Sequence, residues 1–350
     1  MALRLRLHGG EWAGVLALAA RLRLLPALAA AVEAKGLTAG IPAFHSPSGE
    51  ATPAAVLADA SAEHERRRAI FQERLSELLD AFARADIRPV LLKGATALWT
   101  GIPAWRSLRD IDLLVAPPTT SGAVGVAISA GYRPNQAFSA PEGWHHGAEL
   151  YRDDLPGWVE IHERGGVRRI EAILPTSTLM QAARPITDAK GRTALVLPAP
   201  LHILYCAAHH HVGHRGDYYG VIDFKGLYEF AADVDALEEA GRQELLLAAS
   251  QHPRLTVMLD LWLAAAADVF ALPVRAPLQV PGDARRRWSV MRTRASREAH
   301  AARFAGLAEE VSMAFEGNRL GRQPRGRTAL GRMILRYQAI RAMATRAAGA

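Results

Sequence analysis

The chain reads as an α+β protein: a small mixed β-sheet core flanked by N-terminal and C-terminal helical regions. Three observations predict this. Residues 89–92 and 110–115 are short apolar runs of strand length. Between about residue 86 and residue 165 the patterns follow the order strand, helix, strand, helix, hairpin, which makes a small mixed sheet with helices on one side. Helical spacing dominates on either side, so the divisions fall at 1–85, 86–165 and 166–350.

The elements are justified in order. Residues 12–30 carry Leu and Ala at three- and four-residue spacings and end near Gly36. Residues 38–53 are rich in Gly, Pro and Ser and read as a loop. Residues 54–84 form a long helical pattern with Ile70, Leu75, Leu78, Leu79 and Phe82 on one side. The strand at 89–92 turns at Lys93-Gly94 into an Ala/Leu/Trp helix, and the chain returns on Asp110-Ile111-Asp112-Leu113-Leu114-Val115. Ala116-Pro117-Pro118 stops that strand, and residues 119–130 read as a helix ending at Gly131. Residues 147–152 and 158–162 alternate around the turn chemistry of Asp153-Asp154-Leu155-Pro156-Gly157, a hairpin. Residues 168–192, with Pro185 and Gly191, read as a connecting region. A helix starts near Leu201, and an Arg/Ala-rich helical part follows from Leu237.

Composition bounds the class. With 350 residues, half of them apolar, the chain is long enough for a sizeable core and too apolar for disorder. The apolar stretch 14–32 is broken by Arg21, Arg23 and Pro26, and 255–272 by Asp260 and Asp268. Neither reads as a signal peptide or a membrane span. A lone Cys206, read as a buried structural thiol, excludes an internal disulfide and favours the cytoplasm. The net charge is +7. From Asp283 onward 15 arginines face 5 acidic residues, a net +10, so the rest of the chain carries −3. Such an end suits nucleic acid, an acidic peptide or a membrane surface, or is a solvated arginine-rich face.

Chemistry concentrates at 93–112. Alternate strand residues share a face, so Asp110 and Asp112 point together while Ile111 and Leu113 enter the core. Two close carboxylates repel unless a cation compensates them, and a hard divalent ion such as Mg²⁺ suits oxygen ligands. Gly94 allows close backbone approach to a ligand, and Lys93 adds positive charge at a helix start that favours phosphate. The guanidinium forks of Arg106 and Arg109 suit phosphate oxygens, and Ser107 lies between them.

This stretch resembles the signature of the polymerase-β-like nucleotidyltransferase superfamily: strand, Gly-containing turn, helix, then Asp-x-Asp on the next strand. Lys93-Gly94 replaces the usual Gly-Ser or Gly-Gly. That variant is similar to a bacterial branch described as nucleotidyltransferase family proteins, and to nucleotidyltransferase toxins of abortive-infection systems. The resemblance implies a third carboxylate on a neighbouring strand. Glu160, in Val159-Glu160-Ile161-His162, fits by position. It implies an enzyme that moves an NMP from an NTP, ATP among them, to a hydroxyl of a small molecule, peptide or protein, releasing pyrophosphate. Asp110, Asp112 and Glu160 would hold Mg²⁺, with Mn²⁺ as the alternative. Lys93, taking over from the missing serine, would hold phosphate with Gly94, Ser107, Arg106 and Arg109.

Further residues carry two readings each. His162 is a base or a partner of Glu160. His210 and His214 stand one helical turn apart among His209 and His211, lining a cleft or packing, and no Cys or carboxylate pattern completes a zinc motif. Asp223 matches a family aspartate or is a helix cap. Two alternatives stand beside the leading function: a toxin-like transferase acting on tRNA, and a catalytically inactive nucleotide-binding or scaffold protein. The acceptor, the preferred NTP and the oligomeric state carry no signal in the sequence.

Overall fold

A computed structural model describes residues 9–36, 44–46, 49–101, 104–135 and 145–297. The N-terminal region holds α1 (Gly9–Arg21), α2 (Leu25–Ala34), a hairpin of β1 (Phe44–Ser46) and β2 (Gly49–Ala51), and α3 (Pro53–Arg84). The hairpin lies inside the stretch expected to be loop. Thr52 opens α3 by accepting the Ala55 amide on its side-chain oxygen at 3.1 Å. Next come β3 (Val90–Leu92), α4 (Lys93–Thr100), β4 (Asp110–Leu114), α5 (Thr120–Ser129), β5 (Arg133–Pro134), β6 (His146–Tyr151) and β7 (Trp158–His162). Two short helices, α6 (Arg168–Glu171) and α7 (Thr176–Ala182), precede β8 (Arg184–Thr187) and β9 (Thr193–Val196). Then follow α8 (Ala199–Ala208), a π-helical turn at His209–Gly213, α9 (Gly216–Tyr219), α10 (Phe224–Asp235), α11 (Glu239–Ser250), α12 (Pro253–Phe270) and α13 (Gly282–Arg297). The α+β class holds. Of the arginine-rich end, residues 298–350 lie outside the described part.

One seven-stranded mixed sheet runs in the order β5-β6-β7-β4-β3-β9-β8. At its centre β4 pairs antiparallel with β3 and parallel with β7. The sheet extends past the expected core: β9 runs parallel beside β3 just after the stretch read as connection, and β8, outside it, lies within that stretch. Pro185 and Gly191 gave that stretch its loop signal. Pro185 is tolerated because β8 is an edge strand, and Gly191 forms the turn at φ 79°.

Helices cover both faces of the sheet, not one. Leu91, Ile111, Leu113, Val159 and Ile161 pack against Phe71, Leu75, Leu78 and Phe82 of α3, with Leu98 of α4 and Ala123 and Ala127 of α5. On the opposite face Val90, Leu92 and Leu114 meet Ile203 and Leu204 of α8, Phe230 of α10 and Trp262 of α12. A smaller cluster of Trp12, Leu16, Ala29, Val32 and Leu57 holds the N-terminal helices together. Among the described residues no helix is long and apolar enough to cross a membrane.

The strands β4 and β7 are brought together at Gly157, just before β7. A methyl group there would collide with the backbone carbonyl of Arg109 and lie 2.7 Å from Phe71 Cζ. Gly157→Ala is expected to destabilise the protein by about 2–3 kcal/mol, read as a lowered urea midpoint. An unchanged midpoint would show that the strands do not need this close approach.

Candidate active site

Alternation along β4 sends Ile111 and Leu113 into the helical layer beneath and leaves Asp110 and Asp112 on the other face. The parallel register sets Glu160 directly beside Asp112 and His162 beside Leu114. A register irregularity in β6 between His146 and Ala148 lets His146 stand opposite His162. Leu92 pairs with Asp112, so the next residue, Lys93, begins α4 at the same end of the sheet. Lys93 adopts φ 45°, a left-handed conformation that costs a non-glycine residue energy and marks a constrained turn.

The polar groups converge closely. Lys93 Nζ donates to Asp112 Oδ1 at 2.6 Å, and His162 Nε2 lies 2.9 Å from the same oxygen. His162 Nε2 is also 3.4 Å from Glu160 Oε2, and His146 Nε2 approaches that oxygen at 3.3 Å. The side chains of Asp112 and His162 are fully buried. Asp112 Oδ2 and His162 Nδ1 have no hydrogen-bond partner.

Burial alone would raise the Asp112 pKa, but Lys93 and His162 hold the carboxyl well below its usual range. Burial pulls Lys93 down, but the charges of Asp112, Tyr205, Glu160 and Asp110 together push it up. Asp110 goes the other way, to about 7, through burial and then the Asp112 charge. His162 is raised by its bonds to Asp112 and Glu160 against the cost of burial, whereas burial lowers His146 to about 3.

Asp112, Glu160 and His162 each place one ligand atom within 4.8 Å of the others. With an unpartnered buried carboxylate oxygen, that donor set fits a divalent cation. The expected convergence of three carboxylates is thus met in part. Asp110 senses the charges of Asp112, Glu160 and Lys93 but belongs to no such group among the described residues, and His162 completes the set.

The other predicted residues are placed as follows. Gly94 sits where a methyl group would lie 2.8 Å from Leu108 Cδ2, so its small size lets α4 start against the loop before β4. Arg106 corrects an expectation. The residue is 3% exposed and its guanidinium is bonded to Glu229 at 3.0 Å, with Asp233 at 3.9 Å and Cys206 Sγ at 3.7 Å, so it ties the loop to α10 and is not offered to a phosphate. Ser107 lines a cleft with Arg23, His64 and Arg68 of the N-terminal helical region, and Arg109 is exposed. Asp223 caps α10, accepting the Gly226 amide at 2.6 Å, and lies 3.5 Å from His210 Nδ1. His214 Nε2 is 3.3 Å from His209 Nε2.

Three residues at the site, His145, His146 and Tyr205, escaped the sequence reading. His145 and His146 were lost because the strand was started at Gly147, one residue late. Regular hairpin register would have set Gly147 opposite His162, and only the irregularity between His146 and Ala148 puts His146 there. Tyr205 and His209 stand one helical turn apart and feel the charges of Lys93 and Asp112. The Tyr205 hydroxyl is buried with no hydrogen-bond partner. Nothing local marks Tyr205, whereas His209 was read within the histidine cluster, lining a cleft or packing.

Comparison with known families matches residues 8–271 to one described as an uncharacterised nucleotidyltransferase. No curated protein matches the chain.

Two outcomes test this electrostatic layout. Without metal, folded Asp110 keeps its proton up to about pH 7, while the unfolded chain loses it near 3.8. Between those values the folded state binds the extra proton, so the contribution of this group to stability falls as pH rises. Asp110→Asn removes that loss. In EDTA its Tm advantage over the wild type should grow from pH 5 to pH 8, and a pH-independent difference would contradict the raised carboxyl. Arg106→Ala strands Glu229 beside Lys225 alone, 2.8 Å away. A loss of about 3–5 kcal/mol in chemical denaturation is expected. A variant of wild-type stability with a raised KM for nucleotide would return Arg106 to phosphate binding.

Proposed function

The chain belongs to the uncharacterised nucleotidyltransferase family, and on that premise we propose a polymerase-β-like, divalent-metal-dependent transferase. It moves an NMP from an NTP to a hydroxyl of an acceptor and releases pyrophosphate. The observation that carries this reading is the parallel register that sets Glu160 beside Asp112, with Lys93 against Asp112 Oδ1 at 2.6 Å. Buried, paired carboxylates beside a lysine at a strand-to-helix turn have the makings of a site for triphosphate and its counter-ion.

Asp112 and Glu160 would hold the ion, with Asp110 at the margin of the site. Bound there, a divalent ion supplies Lewis-acid stabilisation of phosphate charge. The chain's own groups do the rest. Lys93 exchanges Asp112 for a phosphate oxygen of the donor, which keeps its buried ammonium compensated throughout. Glu160, between His146 and His162, accepts the proton of the acceptor hydroxyl. The hydroxyl oxygen bonds to the α-phosphorus as the bond to the bridging oxygen breaks, and pyrophosphate departs with those electrons. Arg109 is free at the surface to meet phosphate, whereas Arg106 is not.

The test is pyrophosphate release from each NTP with Mg²⁺ or Mn²⁺, with and without hydroxyl acceptors. Asp112→Asn and Glu160→Gln should each cut the rate by about 100-fold or more while circular dichroism stays unchanged. Turnover that survives both substitutions would remove this site from the reaction.

A further inference from the structure

The carboxylate expected as third ligand, Asp110, stands outside the converging group, and an imidazole stands inside it. His162 Nε2 lies 2.9 Å from Asp112 Oδ1 and 3.4 Å from Glu160 Oε2. Ligand atoms about 2.0–2.1 Å from an ion are separated by about 2.9 Å at right angles and about 3.4 Å at tetrahedral angles. The shorter separation also suits a hydrogen bond. The longer one exceeds the usual N–H···O length of about 2.7–3.2 Å. His146 Nε2 meets the same Glu160 oxygen at 3.3 Å, from the strand paired with β7. The buried, unpartnered Asp112 Oδ2 is a second observation pointing to a ligand, since such an oxygen is costly to leave unsatisfied.

We infer that Asp112, Glu160 and His162 form a mixed oxygen–nitrogen centre that takes a borderline divalent ion such as Mn²⁺, Co²⁺ or Zn²⁺ in preference to Mg²⁺. Imidazole suits transition ions, while Mg²⁺ keeps to oxygen and water. His146 is a positioning residue: it holds the Glu160 carboxylate from the far side, as the outer partners of metal ligands do. His145, whose ring centroid is 4.0 Å from that of His146, backs it. The inference deepens the proposed transferase and rests on that reading for its chemistry, but not for its ligands.

The full chain, stripped with EDTA, is dialysed against Mn²⁺ and against Mg²⁺. Mn²⁺ should bind at least about tenfold more tightly. Electron spin-echo modulation of the bound Mn²⁺ should show ¹⁴N coupling that changes to a ¹⁵N pattern when the histidines are ¹⁵N-labelled. That readout needs no variant. His162→Ala should abolish the coupling, and His146→Ala should retain it while weakening binding. His252→Ala, at the residue that precedes α12, should leave both unchanged. Mn²⁺ bound without nitrogen coupling, coupling lost in His252→Ala but kept in His162→Ala, or Mg²⁺ bound as tightly as Mn²⁺ would overturn the inference. Pyrophosphate release with Mg²⁺ and no nitrogen-bound Mn²⁺ would sink the inference and leave the reaction standing. Nitrogen-bound Mn²⁺ with no release from any NTP would do the reverse.

Discussion

A carboxylate with no exposed surface sits at the middle of this sheet, and the surroundings are arranged to make that tolerable. Isolated, the charge of Asp112 would be prohibitively costly at that depth. Lys93 and His162 share one of its oxygens and hold it ionised. Meeting that demand explains the left-handed backbone of Lys93, which begins α4 directly after Leu92, the residue paired with Asp112. It also explains why a histidine is buried on β7, one alternation beyond Glu160.

The same demand separates the two aspartates. They lie on one face two residues apart, yet of the two Asp112 is the one held in direct contact with both Lys93 and His162. Its neighbour meets burial and a like charge together, and is held near neutrality around pH 7. Two carboxylates of one motif therefore differ in how readily they carry charge. Around them the layers are anchored by other buried pairs. Arg106, with Glu229 and Asp233, fastens the loop before β4 to α10. The helices above the sheet thus hold the motif as firmly as those below it.

How much of this was legible depended on whether the cause was local. Strand alternation is local, so Asp110 and Asp112 on one face, with Ile111 and Leu113 on the other, could be read directly. Hairpin chemistry is nearly local and put Glu160 on a strand, but it was the family resemblance that singled it out as a third carboxylate. The β9 strand could not be seen, because its partner β3 lies about a hundred residues upstream and its flanks carry Pro185 and Gly191. Arg106 was misjudged for a related reason. An arginine near a phosphate motif and an arginine folded under it have the same spelling, and only the distant Glu229 decides between them. His146 was lost by one residue at a strand boundary, the least determined feature of any strand.

The pairing of β4 with β7 couples two properties that are usually independent. Side chains alternate, so a slip of one residue in β7 would turn Glu160 and His162 toward α3 and lift Val159 and Ile161 out of the core. Val159 and Ile161 lie on the face away from the acidic groups, yet their burial is what indexes the acidic face. An insertion or deletion in the turn before β7 would therefore be felt first as a loss of alignment between the two strands. On this strand a lineage inherits folding and chemistry as one trait. Drift that relaxes the apolar side relaxes the aim of the acidic side with it.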